Sequence, residues 1–158
     1  AGVSNGSTDY IWIRDEKPSG TNGGFFTSGS WYTRDLNTEK SDTGGHATLS
    51  SNQITLADGT YRISASAPAY KVGRHQIRLY SITDGTTIIV GSSEHAGDGT
   101  GASTSSFING QFTLAAPKVL ELQHRGEVTY GYNWGRGVSS NFDEVSVYSE
   151  VQLWRIGD

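Results

Sequence analysis

The chain has 158 residues, enough for one domain with its own core, because folding at this size removes about 70% of the unfolded chain's surface from water. It contains no cysteine, which excludes a disulfide framework and a thiolate metal cluster. A net charge of −4, with only 12 Lys and Arg and no basic run, argues against nucleic acid as a partner. Its apolar runs fall far short of the roughly 20 residues that span a bilayer, so we predict no membrane insertion.

Apolar and polar residues alternate with a period of two along most of the chain, and no window shows a helical stripe. Turn-forming residues, including 21 glycines, separate the alternating segments. The pattern therefore predicts an all-β fold. The predicted strands cover residues 10–14, 24–34, 46–56, 60–67, 75–82, 86–93, 105–114, 119–124 and 145–156.

The turn chemistry is typical of an antiparallel β domain. Asp58-Gly59 and Asp84-Gly85 are Asp-Gly pairs, which tolerate the positive φ of tight hairpins. Pro68 lies at a predicted strand end, where the missing N–H does little harm. About ten short strands at this spacing predict a sandwich, jelly roll or barrel, and we find neither a repeat nor a second-domain linker.

Several predicted strands carry apolar side chains on both faces. Ile11 and Ile13 alternate with Tyr10 and Trp12, and the last strand places aromatic residues opposite its valines. A monomeric two-layer sandwich has no use for a second apolar face, which favours a sheet packed both on the core and on neighbouring subunits. A twisted edge or a covering loop is the alternative explanation. The predicted subunit interface consists of Tyr10, Trp12, Phe112, Tyr148 and Trp154.

Specific segments resemble the C-terminal domains of bacteriophage tail fibres. They are TYRISASAPAY at residues 60–70, GRHQIRLY at 73–80 and TDG at 83–85. FFTSGSWYTRDLNT at residues 25–38 and EVQLW at 150–154 are similar to the same group. The resemblance implies a jelly roll like that of tumour-necrosis-factor and complement globular-head proteins, assembled as a homotrimer. Its first, third and last strands would face the threefold axis.

The resemblance covers roughly residues 15–158, which we expect to form the head domain. Residues 1–14 are expected to be the end of a fibre shaft and the first strand. The absence of methionine, including an initiator at Ala1, suggests a chain processed or cut from a longer polypeptide, and we expect a shaft upstream of it. The resemblance implies a non-enzymatic, receptor-binding tip on the outside of the virion. Its partners would be the rest of the fibre and a bacterial surface receptor, with no cofactor.

Three connections are predicted at the free end of the trimer: residues 68–74, 94–104 and 126–143. The last matches no tail-fibre motif and is rich in aromatic residues. Flat rings can lie against the apolar face of a sugar while amide and guanidinium groups donate hydrogen bonds, so a glycan receptor is favoured over a protein one. Inward packing of these aromatics remains an alternative. The candidate receptor-binding residues are Tyr70, Lys71, Arg74, His95, Tyr130, Tyr132, Asn133, Trp134 and Arg136.

Two other functions remain open. A structural trimerisation or decoration domain of a fibre would need the trimer but no receptor. A polysaccharide depolymerase would need two carboxylates about 5–10 Å apart. Its candidate carboxylates are Glu94, Asp98, Asp143 and Glu144.

Catalytic and metal motifs are weak. The DTG at residues 42–44 matches the aspartic protease motif in a single copy, and a turn is the better explanation. The four histidines show no HxH or HExxH spacing, so no metal site is predicted. A threefold axis would triple any one histidine, and His46 or His124 is the candidate for such an axial site.

Overall fold

The computed structural model of the chain describes residues 9–158, and within that range it contains twelve β-strands and no helix. No described segment is therefore a helix of the length and apolarity that crossing a membrane requires. The strands are β1 (Asp9–Lys17), β2 (Tyr32–Thr33), β3 (Thr38–Asp42), β4 (Ala47–Ser50), β5 (Gln53–Leu56), β6 (Gly59–Tyr70), β7 (Gly73–Ser81), β8 (Thr86–Val90), β9 (Glu94–Ala96), β10 (Ser103–Leu114), β11 (Lys118–Gly126) and β12 (Ser146–Gly157).

The strands form two antiparallel sheets. The first sheet has the order β10-β6-β12-β1-β3. The second has the order β4-β5-β11-β7-β8, with β2 added on β11 and β9 added on β7. This confirms the all-β class that the alternating pattern predicts and the jelly-roll sandwich that the resemblance to tail-fibre domains implies.

The core lies between the two sheets, and the alternation of each strand decides which residues enter it. Along β6, Tyr61, Ile63 and Ala65 point inward while the residues between them are exposed or half-buried. They meet Leu79 of β7 and Leu122 of β11 in one apolar cluster. The core thus holds the two layers together through burial of apolar side chains.

The core continues to one end of the sandwich in a smaller cluster. Phe26, Ala69, Val72 and Ala96 are fully buried there, with Tyr32 and Tyr130 packed against them. The strand ends Tyr70 and Ser103 are paired here, as are Gly73 and Ala96. The connections β6–β7, β9–β10 and β11–β12 therefore share this end, as predicted, whereas Asp9 pairs with Arg155 at the other end.

Two predicted strands are wrong in extent. Residues 24–34 are mostly irregular. Tyr32–Thr33 pair with β11, but Gly24 and Phe26 bond to the loop that follows β11 and not to a strand. Residues 46–56 form two strands, β4 and β5, since Ser51 and Asn52 take φ of 51° and 63° and turn the chain back.

The sequence pattern missed β3 and β9, both short and polar. It also misjudged one Asp-Gly pair. Asp84-Gly85 closes the β7–β8 hairpin, but Asp58-Gly59 carries the chain from β5 in one sheet to β6 in the other.

Candidate functional site

Four aromatic rings gather at the loop end of the sandwich, and we call Tyr70, Tyr130, Tyr132 and Trp134 the aromatic cluster. The ring centroids of Tyr70 and Tyr130 are 5.3 Å apart, and those of Tyr130 and Tyr132 are 5.6 Å apart. Trp134 completes the cluster, 6.3 Å from Tyr132 and 6.1 Å from Tyr70. Tyr132 is 67% exposed and Trp134 is 41% exposed, so the cluster presents an aromatic surface to solvent.

Two polar side chains from the predicted set lie beside this surface. The ammonium of Lys71 lies 5.8 Å from the Tyr130 ring, a cation–π contact. The exposed Asn133 accepts a hydrogen bond from the Asn22 amide at 3.1 Å through its side-chain oxygen. Its own amide remains available to donate. The structure thus brings six predicted residues into one place: Tyr70, Lys71, Tyr130, Tyr132, Asn133 and Trp134.

A second loop, which the sequence reasoning had assigned to a strand, holds the aromatic loop in shape. The Tyr130 amide donates to the Phe26 carbonyl at 3.0 Å, and the Gly24 amide donates to the Asn133 carbonyl at 2.8 Å. The Arg136 amide donates to the Gly24 carbonyl at 2.9 Å. These backbone hydrogen bonds hold the loop that carries the aromatic side chains against Gly24 and Phe26, as in a short β-ladder.

Two glycines allow this close packing. A Cβ at Gly135 would lie 2.6 Å from the Cβ of Phe26, which no side chain tolerates. Gly137 has a φ of +138° and lies against the Tyr148 ring. Gly135 and Gly137 therefore allow the aromatic loop to lie close against the residues beneath it.

Beneath the loops lies a buried arginine. Arg34 is only 1% exposed, and its guanidinium donates to the carbonyls of Pro68 and Arg136, each at 2.8 Å. One bond reaches the end of β6 and the other reaches the loop that carries the aromatic residues. Burial lowers the pKa of Arg34, but a guanidinium remains charged in proteins.

Arg34 also fixes the proton positions on two histidines. Its Nη1 is 3.3 Å from His124 Nδ1, and because arginine can only donate, that ring nitrogen must accept. His124 Nε2 therefore carries the proton and donates to His75 Nδ1 at 2.8 Å. His75 Nε2 in turn donates to Thr104 Oγ1 at 2.7 Å. We call Arg34, His124, His75 and Thr104 the buried polar chain.

Protonation of either histidine is unfavourable in this chain. Desolvation lowers the pKa of His75 to about 4, and it lowers the pKa of His124 well below its usual value, assisted by the positive charge of Arg34. The same end buries the Tyr32 hydroxyl, which raises the pKa of Tyr32 to about 12. The imidazole rings of His75 and His124 are therefore uncharged at neutral pH, and each accepts one hydrogen bond and donates another.

The remaining predicted binding residues lie elsewhere. The Arg136 guanidinium lies 4.0 Å from the Tyr32 ring and 4.0 Å from Asp35, so its contacts are with these residues and not with a ring of the aromatic cluster. Arg74 and His95 are exposed, but they line a separate groove on the seven-stranded sheet. The sequence analysis placed all of these residues at the correct end of the molecule, but it did not separate Arg74, His95 and Arg136 from the aromatic cluster.

The outer face of the five-stranded sheet carries three of the five predicted interface residues. Tyr10 and Trp154 pair across β1 and β12, with ring centroids 5.4 Å apart. On the same face, Trp12 Nε1 donates to Glu150 at 2.9 Å, and the Arg14 guanidinium lies 4.9 Å from the Trp12 ring. This half-buried face combines apolar rings with charge.

The other two interface predictions are corrected. Phe112 is 9% exposed and stacks on Tyr61 inside the sandwich, with centroids 5.7 Å apart; Phe107 occupies the outer face instead. Tyr148 is 6% exposed and donates to the Thr21 carbonyl at 2.6 Å. An irregularity in the β1–β12 register gives β12 an extra residue there, which changes the face to which Tyr148 points.

The carboxylate and histidine motifs have structural roles. Asp42 of the DTG motif accepts hydrogen bonds from the amides of His46 and Ala47 at 3.0 and 3.1 Å, as a turn residue does. Among residues 9–158, no three histidine, aspartate or glutamate side chains are grouped to hold a metal. His124, a candidate axial ligand, is fully buried on the other sheet, and His46 lies 3.2 Å from Asp9.

Comparison with solved structures identifies the fold. The chain is similar to murine APRIL, with a TM-score of 0.62, 9% identity and coverage of 95% of this chain and 100% of that one. It is similar to the globular domain of zebrafish complement 1qA protein, with a TM-score of 0.61, 13% identity, and coverage of 95% and 98%. It is also similar to PRD1 vertex protein P5, with a TM-score of 0.57, 18% identity, and coverage of 96% and 99%.

The domain has a jelly-roll fold of the tumour-necrosis-factor and complement globular-head type. No protein-family model and no curated protein matches the sequence. The similarity at these identities concerns the fold.

Proposed function

We propose that this domain is the receptor-binding head of a trimeric bacteriophage tail fibre and that it binds a glycan on the host cell surface. The observation that carries the proposal is the aromatic cluster, exposed at the end opposite the entry of the first strand. A fibre joined at Asp9 would present that end outward. The role is one of binding rather than catalysis.

Trimer formation is supported by the outer face of the five-stranded sheet. Tyr10, Trp12 and Trp154 lie together on it, and the resemblance to tail-fibre domains implies that the first and last strands face the threefold axis. Burial of these half-buried rings in an interface would stabilise the assembly at about 25 cal/mol per Å² of apolar surface. A virion location is supported by the likeness to a vertex protein.

Glycan binding is supported by the chemistry of the aromatic cluster. Sugar rings have apolar C–H faces that pack on aromatic rings, and Lys71 and Asn133 supply donors at the rim. Three copies in a trimer can raise avidity by 10²-fold or more, so a single site can bind weakly while the three sites together bind tightly. That combination suits reversible first contact followed by attachment.

The test is adsorption of the fluorescently labelled, purified protein to a panel of bacterial strains and their surface polysaccharides. The double variant Tyr132→Ala, Trp134→Ala is expected to abolish saturable binding while the solution mass stays that of a trimer. Phe142→Ala is the matched control, because Phe142 is 80% exposed and lies outside the cluster. Its binding should equal that of the unchanged protein.

A structural role in fibre assembly is the second candidate, favoured by the aromatic outer face. A trimer that binds no strain would overturn the proposed receptor role and favour this alternative. A double variant that adsorbs normally would overturn the assignment of binding to the aromatic cluster. Release of reducing sugar from a bound polysaccharide would instead indicate a depolymerase.

A further inference from the structure

A groove separate from the aromatic cluster crosses the outer surface of the seven-stranded sheet at the same end. Its volume is about 730 Å³, and its walls include Trp31, Arg74, Gln76, Glu94, His95 and Arg125. Volumes of 300–1,000 Å³ are typical of small-ligand sites. Neither the trimer face nor the aromatic cluster includes any of these six residues.

The strand pairing places the polar side chains of the groove next to one another. Arg125 of β11 is paired with Gln76 of β7, and Arg74 of β7 is paired with His95 of β9. Paired residues on neighbouring strands have their Cβ atoms about 5 Å apart. Because Gln76 already donates to the Gly91 carbonyl at 2.9 Å, Arg125 and His95 are the available donors.

The charges of the groove are incompletely neutralised. Arg74 is loosely paired with Glu127 at 4.0 Å. Arg125 and Glu94 have no partner of opposite charge within 4.0 Å among residues 9–158, although both line the same groove. A ligand that offers a carboxylate to Arg125 and hydroxyl donors to Glu94 would satisfy both side chains.

Trp31 adds an apolar wall. The Arg78 guanidinium lies 4.1 Å from its ring, a contact that holds the indole in place at the edge of β2. A sugar ring packed on this indole would keep its polar substituents near Arg125 and Glu94. A phosphate dianion fits less well, because Glu94 and Glu127 would repel it.

We propose that this groove binds a carboxylate-bearing sugar unit, such as a uronic acid residue of an acidic surface polysaccharide. Arg125 binds the carboxylate, Glu94 accepts from ring hydroxyls, and Trp31 packs on the apolar face of the sugar. The proposal rests on the glycan-binding function but assigns it a second subsite, independent of Tyr132 and Trp134.

The test is an NMR titration of the intact ¹⁵N-labelled protein with trigalacturonate, trimannuronate and sialyllactose, with maltotriose as the neutral probe. At least one acidic probe should shift the amide signals of Arg74, Gln76 and Arg125, and maltotriose should not. Arg125→Gln should weaken that binding at least tenfold. Lys118→Gln, which removes the same charge from the far end of β11, should change it less than twofold.

Binding should also weaken as salt is raised, since a charge pair with Arg125 is screened. No amide shift with any acidic probe at about 10 mM, ten times the Kd of a millimolar site, would overturn the proposal. So would an Arg125→Gln variant that binds as well as the unchanged protein. If the double variant Tyr132→Ala, Trp134→Ala loses cell adsorption and no acidic probe binds the groove, only the groove proposal is rejected. Groove binding by a protein that adsorbs to no cell would reject the receptor role alone.

Discussion

The aromatic cluster and the buried polar chain lie at the same end of the sandwich, but they are assembled differently. Three of the four aromatic residues come from one five-residue stretch, and two of the three, Tyr132 and Trp134, are exposed to solvent. The buried polar chain takes Arg34, His75, Thr104 and His124 from four distant segments and is closed to solvent at Arg34 and His124. The exposed rings therefore come mainly from one local segment, whereas the polar groups below them join distant segments and tie the aromatic loop to the end of β6.

The largest effect on stability is expected when the buried charge is removed. Arg34→Met keeps most of the side-chain length but leaves the Pro68 and Arg136 carbonyls and His124 without their donor. Each buried acceptor left unpaired costs about 1–3 kcal/mol, so the free energy of unfolding should fall by about 3 kcal/mol or more in a urea titration.

Arg74→Ala is the matched control, because the Arg74 side chain is 83% exposed. Its free energy of unfolding should change by less than about 0.5 kcal/mol. Equal stability of the two variants would show that the guanidinium contacts do not anchor the loop.

The second effect is a loss of stability in mild acid. His75 takes up a proton near pH 6.5 in the unfolded chain but only near pH 4 in the folded protein. Because the unfolded state binds more protons between these values, the free energy of unfolding should fall by about 3 kcal/mol for this group as pH drops from 6.5 to 4.

Urea titrations across this window measure the effect. His75→Gln should reduce the pH dependence, whereas His95→Gln, at an exposed position, should retain it. A pH dependence that is the same in all three proteins would contradict the assignment to the buried polar chain.

An intermediate effect is expected where the aromatic loop meets the domain. Gly137→Ala forces a side chain into a φ of +138° and against the Tyr148 ring, and should lower the free energy of unfolding by about 1–3 kcal/mol. Gly131→Ala is the control, since nothing lies within 4 Å of a Cβ placed there. Coincident thermal melts of the two variants would show that the contact between position 137 and the Tyr148 ring tolerates a methyl group.

The smallest effect on stability is expected in the aromatic cluster itself. Tyr132→Ala removes a ring that is 67% exposed, so the free energy of unfolding should change by less than about 1 kcal/mol. Adsorption should nevertheless fall strongly. A variant that unfolds easily would mean that Tyr132 supports the loop rather than the receptor.

Sequence reasoning located the candidate site well where neighbouring residues decide it. Tyr130, Tyr132 and Trp134 alternate within one loop, so their proximity follows from spacing. Tyr132 and Trp134 are exposed, whereas Tyr130 also packs against the buried cluster beneath the loop. Sequence reasoning placed Arg136 in the same surface because its side chain suits binding. The structure turns Arg136 inward because Tyr32, more than a hundred positions earlier, offers it an aromatic face.

The sequence by itself determined the all-β class, most of the strands and the end where the loops meet, because alternation and turn chemistry are local properties. Only the tertiary structure decided that Gly24 and Phe26 pair with the aromatic loop, that an irregular register buries Tyr148, and that Arg34 fixes the protons on two histidines. Those features depend on groups brought together from distant parts of the chain, where the energy of burying a charge or a ring outweighs the preference of any single segment.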